Sequence, residues 1–237
     1  MLIAGNWKMN KTPSESAEFC SALRQRVSGL AEDVDVAVFP PFTSLAAAVR
    51  VLANTEVAVG AQNVHWATEG AFTGEVSAPM LRELGVYAAI VGHSERRQHF
   101  GETDETVARR AAAALEAGLF VIACVGELEE ERDCGDTENV LRRQVSVLSE
   151  DDRLVVAYEP CWAIGTGKAA TPDQAREAHE LIKSLLDVPV LYGGSVTPGT
   201  ADELLAQPGV DGALVGGASL DVDSFAAICE AASRIRS

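Results

Sequence analysis

Short apolar runs recur along the chain at a nearly constant spacing. They fall at residues 2–7, 35–39, 57–61, 87–91, 119–125, 154–158, 188–192 and 212–215. Most are unbroken rather than alternating, the pattern of parallel strands covered on both faces. Helical patterns lie between them. Residues 14–30 open behind Thr12-Pro13, and residues 104–117 stop at Gly118. Residues 173–186 open behind Thr171-Pro172, and residues 221–234 close the chain. A Pro at a helix start and a Gly past its end are the expected punctuation. Shorter helices are predicted at 43–53, 78–84, 138–148 and 198–206.

Strand and helix therefore alternate eight times over 237 residues, in units of roughly 30, the size of one βα repeat. No linker or shift of composition interrupts the series. Eight parallel strands closed on themselves leave no sheet edge. The pattern predicts an α/β protein, a single (β/α)8 barrel over residues 1–237. An open doubly wound sheet is the alternative, weakened because no GxGxxG follows the first strand.

Composition narrows the function. Nineteen basic against 35 acidic residues give a formal net charge of −16. A nucleic-acid binder normally presents a basic face, and an anionic membrane surface attracts Lys/Arg patches, so neither partner is expected. No apolar run reaches about 18 residues, and the start lacks a basic segment followed by a long apolar one. The five cysteines are scattered without a CxxC pair, against a disulfide framework or structural zinc site. These features predict a cytoplasmic protein.

Barrel enzymes carry their chemistry at the C-terminal strand ends. There the sequence places Asn6-Trp7-Lys8, Gly92-His93-Ser94-Glu95, Glu159-Pro160, Gly193-Gly194-Ser195 and Gly216-Gly217. Glycines let a backbone approach a ligand, and helix starts expose N–H groups to phosphate. Two glycine pairs on adjacent strands fit a phosphate cradle; tight turns are the other reading. Glu159, directly after an apolar run, suits a general base, and otherwise is a solvated rim carboxylate. His93, beside a possible helix start, suits a neutral imidazole donating to a carbonyl oxygen, and otherwise is structural. Lys8 is a fixed cation for an anionic substrate or a snorkelling rim lysine.

Two loops stand out. Residues 160–169 begin with Pro160, are apolar in the middle and carry Gly165 and Gly167, a composition suited to a closing lid. Residues 65–76 form a long connection carrying Trp66 and Phe72. Grouped aromatics of this kind mark a self-association contact or pack locally.

Six segments, in order along essentially the whole chain, resemble the triosephosphate isomerase family. They are Gly5-Asn6-Trp7-Lys8-Met9-Asn10, Val91-Gly92-His93-Ser94-Glu95-Arg96-Arg97, Ala157-Tyr158-Glu159-Pro160, Trp162-Ala163-Ile164-Gly165-Thr166-Gly167-Lys168, Tyr192-Gly193-Gly194-Ser195-Val196 and Leu214-Val215-Gly216-Gly217-Ala218. The resemblance implies a TIM barrel that interconverts dihydroxyacetone phosphate and glyceraldehyde 3-phosphate without cofactor or metal. It implies Glu159 as the base, His93 as the electrophile, Lys8 as electrostatic partner and Asn6 as an orienting group. Ser94 and Glu95 are then supporting residues. Backbone amides of Gly165, Ser195, Gly216 and Gly217 are implied to hold the phosphate. A homodimer is implied through residues 65–76, with Thr73 reaching the neighbouring site. Cys161 stands where the family usually has an aliphatic residue. Two other enzyme classes compete: a Schiff-base aldolase through Lys8 and a retaining glycosidase through Glu95 and Glu159. A phosphate-binding barrel without activity is the non-enzymatic alternative.

Overall fold

A computed structural model describes residues 1–163 and 170–236. Its elements, in order, are β1 (Leu2–Asn6), α1 (Pro13–Arg26), β2 (Asp35–Phe39), α2 (Leu45–Leu52), β3 (Val57–Ala61), α3 (Ala78–Glu83) and β4 (Ala88–Val91). Then come α4 (Ser94–Phe100), α5 (Asp104–Glu116), β5 (Phe120–Val125), α6 (Glu129–Asp133), α7 (Thr137–Val145) and β6 (Leu154–Tyr158). The last are α8 (Pro172–Leu185), β7 (Val190–Tyr192), α9 (Ala201–Leu205), β8 (Gly212–Val215) and α10 (Val222–Arg236).

The strands pair in parallel in chain order, and β8 closes back onto β1. The register runs from Leu2↔Asp35 to Asn6↔Phe39 on one side of β1 and from Leu2↔Gly212 to Gly5↔Val215 on the other. Every strand therefore ends at one rim, as the apolar runs require. The expected (β/α)8 barrel is the observed one.

Local chemistry sets the helix boundaries. Thr12 caps α1, with Glu15 returning a bond to the Thr12 N–H (2.7 Å), and Thr171 caps α8 with Gln174 in the same way. The first helix ends at Arg26 rather than residue 30, because Gly29 turns left-handed (φ 85°) and breaks the pattern. Strand β7 starts at Val190 rather than residue 188, since Pro189 has no N–H to give a ladder. Helix α6 was not foreseen: Glu-Glu-Glu-Arg-Asp has no apolar period to read.

The core has two layers. Outward strand faces pack under the helices, where Trp7, fully buried, meets Phe19 of α1 edge to face at 4.9 Å. Truncating such an aromatic costs about 3–5 kcal/mol. Inward faces fill the barrel with Ala4, Ala37, Phe39, Ile90, Ile122, Val155, Leu191 and Leu214. Among the described residues no helix is long and apolar enough to cross a membrane.

Candidate active site

A cavity of about 420 Å³ opens at the C-terminal rim. Asn6, Lys8, His93, Glu159, Ser195, Gly216 and Gly217 all line it. Residues from five strand ends, distant along the chain, thus share one concave space, as the closed register dictates. Gly165 and the middle of the expected lid lie outside the described residues. A larger cavity, about 720 Å³, opens at the opposite end of the barrel. Its walls include Ala37, Ala58, Ala88, Ile122 and Leu191, and none of the predicted site residues borders it.

His93 is the residue before α4, and its Nδ1 accepts the Glu95 N–H at 3.2 Å. A ring nitrogen that accepts carries no proton, so in the neutral imidazole the proton sits on Nε2. Nε2 faces Glu159 Oε1 at 3.0 Å. The other carboxylate oxygen, Oε2, accepts the backbone N–H of Ser94 at 2.7 Å. Glu159 is 2% exposed and His93 5%, so both bonds are shielded from water. A shielded charge-assisted bond is stronger than an exposed one.

Lys8 follows β1 with φ 52°, a left-handed conformation unfavourable for a residue with a side chain. Its N–H donates to Asn6 Oδ1 (3.0 Å), and its carbonyl accepts from Gln62 Nε2 (2.8 Å). The same Gln62 nitrogen also donates to Phe39 O at 2.8 Å. Lys8 Nζ pairs with Glu95 Oε1 at 2.5 Å. Ser94 and Glu95 each hold a neighbouring side chain. One backbone N–H holds the Glu159 carboxylate, and the Glu95 side chain holds the Lys8 ammonium.

The two glycine pairs differ. Gly217 opens a 3-10 turn, Gly217–Leu220, directly at the end of β8. After Gly193-Gly194 the next helix, α9, begins only at Ala201, so no helix start backs that pair directly. Gly216 lies against Lys8, where an added Cβ would be 3.5 Å from Lys8 Cε. Ser195 Oγ donates to Ala163 O at 3.2 Å, tying the β7 loop to the start of the segment at 160–169.

Three residues of this site carried no sequence signal that was read. Gln62 is one. Glu127 is another: fully buried after β5, it accepts from Tyr158 OH (3.1 Å), Trp162 Nε1 (2.9 Å) and Arg132 NH1 (3.0 Å). It fixes Trp162 just beyond Pro160. Gly126 separates it from the strand, so it lacks the place directly after an apolar run that singled out Glu159. Gln144, on α7, is the third, bonded to Gly126.

The cysteines near Glu159 are held in the thiol form. Burial first, then the Glu159 charge, pushes Cys161 up to about 12 and Cys124 well above the usual thiol range. Cys161 Sγ donates to Glu159 O at 3.4 Å.

The loop at 65–76 is anchored at its base. His65 stacks on Trp66 (4.2 Å) and Phe72 (4.3 Å), and the Arg109 guanidinium covers Trp66 at 4.2 Å. Trp66 is therefore half-buried, while Phe72 and Thr73 are exposed.

The chain matches the family model for triosephosphate isomerase over residues 1–232. It is 51% identical to a triosephosphate isomerase of Solibacter usitatus, over 96% of this chain and 97% of that protein. It is 52% identical to one of a Picosynechococcus species (95% and 96%) and 51% identical to one of Rubrobacter xylanophilus (98% and 96%).

Proposed function

The chain belongs to the triosephosphate isomerase family, and on that premise we propose that Glu159, His93, Lys8 and Asn6 carry the family's reaction in the cavity at the barrel rim. The reaction is the interconversion of dihydroxyacetone phosphate and D-glyceraldehyde 3-phosphate, a step of glycolysis. One observation carries the assignment: Glu159 Oε1 lies 3.0 Å from His93 Nε2 inside a cavity that Lys8 and Asn6 also line.

The Glu159 carboxylate removes a proton from the carbon beside the substrate carbonyl. The electron pair left behind moves onto the carbonyl oxygen, giving an enediolate. The His93 Nε2–H, freed when Glu159 turns toward the carbon, donates to that oxygen. The Lys8 ammonium offsets the growing negative charge, and Asn6 orients the substrate oxygen. Donors placed in advance stabilise such charge without reorganising. The hydroxyl proton passes from its own oxygen to the former carbonyl oxygen by way of His93 Nε2, and Glu159 returns the carbon proton to the neighbouring carbon, which completes the isomerisation with no net redox change. The steps need proton transfer alone, and that is the basis for expecting no metal or cofactor.

The substrate phosphate lies in the cradle of Ser195, Gly216 and Gly217 amides, with Gly165 added from the lid. Residues 160–169, of which 164–169 lie outside the described residues, have the composition to exclude water, which otherwise assists loss of phosphate from the enediolate. The competing aldolase reading needs a free Lys8 amine, and the 2.5 Å pairing with Glu95 disfavours it. For a retaining glycosidase, Glu95 and Glu159 should face one another. Instead they lie on different nitrogens of one imidazole, at 3.9 and 3.0 Å.

The active unit is a homodimer of single catalytic domains in the cytoplasm, joined through residues 65–76, with Thr73 reaching the neighbouring site. The exposed Phe72 beside it supports this reading. A coupled assay with dihydroxyacetone phosphate tests the reaction, with Glu159→Gln as the control that should lower turnover by orders of magnitude.

A further inference from the structure

The backbone of Glu159 is held between two glycines. A Cβ on Gly126 would lie 1.7 Å from Glu159 O, and one on Gly193 would lie 2.8 Å from Glu159 Cγ. Both neighbours touch the residue that is assigned as base, one through its carbonyl and one through its side-chain stem. Any shift of Gly126 is therefore transmitted to Glu159 without slack.

The ladder between β5 and β6 continues past the strand ends on both sides of Gly126. Glu159 N–H donates to Val125 O (2.7 Å), and Cys161 N–H donates to Glu127 O (3.1 Å). The polar groups of Gly126 itself have no strand to pair with, since β4 has already turned into α4. The Gln144 carboxamide takes both. Its Oε1 accepts the Gly126 N–H at 2.7 Å, and its Nε2 donates to Gly126 O at 3.1 Å. Gln144 is 5% exposed. Only an amide of this length answers a donor and an acceptor together: Asn is one methylene short, and an ionised Glu has nothing to donate.

From this geometry we propose that Gln144 is a positioning residue for the isomerase reaction. It substitutes for a missing strand and fixes Gly126, which in turn fixes the backbone from which the Glu159 carboxylate reaches the substrate. The inference rests on Glu159 being the base. Gln144 touches no substrate, so its loss acts on the chemical step more than on binding. The phosphate cradle of Ser195, Gly216 and Gly217 follows β7 and β8, and Gln144 and Gly126 belong to α7 and the end of β5.

The test measures kcat, KM and inhibition by inorganic phosphate in the full-length enzyme carrying Gln144→Leu or Gln144→Glu. For Gln144→Leu the expected result is a kcat lowered about tenfold or more per folded site, with KM and phosphate inhibition within about threefold. Gln144→Glu provides an independent arm if the Leu variant does not fold. At about pH 9 its carboxylate cannot donate to Gly126 O, and kcat falls; near pH 6 the protonated carboxyl both donates and accepts, and the ratio to parent kcat recovers. Parent-like kcat in a folded Leu variant, or a Glu variant whose ratio to the parent does not rise as pH falls, overturns the proposal. Measuring Glu159→Gln alongside separates the two claims. If it is inactive while the Gln144 variants are normal, only the positioning role fails; if it is active, the base assignment fails.

Discussion

The Glu159 carboxylate rests on His93, with Oε1 3.0 Å from Nε2, while its second oxygen takes the Ser94 N–H. The two side chains therefore occupy each other's hydrogen-bonding positions in the cavity at the rim. In the proposed reaction substrate separates them, and the carbonyl oxygen that replaces Glu159 at Nε2 inherits a donor already aimed.

The protonated nitrogen of His93 follows from its partners. Because Nδ1 accepts the Glu95 N–H at 3.2 Å, nitrogen NMR of the resting enzyme at about neutral pH should show the Nε2–H tautomer. A proton on Nδ1 contradicts the assignment of His93 as donor through Nε2.

Gln62 holds Lys8 in its left-handed turn by bonding its carbonyl and that of Phe39. Such a conformation costs roughly 1–2 kcal/mol for an L-residue, so it needs an external restraint. Gln62→Ala should keep the fold and lower kcat/KM about tenfold or more as the ammonium shifts. Circular dichroism with steady-state kinetics checks this, and unchanged kcat/KM counts against the restraint.

His179 of α8 is fully buried, between Tyr158 and Tyr192, with its Nδ1 against Gly209 O at 3.1 Å. A carbonyl only accepts, so Nδ1 carries the proton, and Nε2 has no partner among the described residues. Burial, opposed by the Gly209 bond, pushes the imidazole down to about 4 from its usual 6.5. The unfolded chain binds this proton before the folded one does. The resulting stability is fully present above about pH 6.5 and is lost as pH falls toward 4, by roughly 3 kcal/mol in all. Denaturant melts across that range should show a shallower acid-side decline for His179→Gln than for the parent. Equal slopes contradict the prediction.

What the sequence disclosed follows the physics of each signal. Residues 57–61 and 154–158 were legible to the residue because a strand covered on both faces must be apolar throughout. Asn6, Lys8, His93 and Glu159 were legible because polar groups ending apolar runs are costly unless used. Gln62, Glu127 and Gln144 serve backbone or buried side-chain partners that only folding brings near. Their own neighbours in sequence announce nothing, and Gln144 looks like any polar residue of an amphipathic helix. Helix α6 escaped for a related reason, since its five polar residues bury none of themselves.

In the proposed mechanism one carboxylate moves the proton between the two carbons of a triose phosphate. Turnover of dihydroxyacetone phosphate in deuterium oxide by the parent and by Glu159→Gln tests it most directly. The expected result is solvent deuterium in the product of the parent and, for the folded variant, a rate lower by about a hundredfold to ten-thousandfold. A variant that isomerises and exchanges at the parent's rate contradicts it.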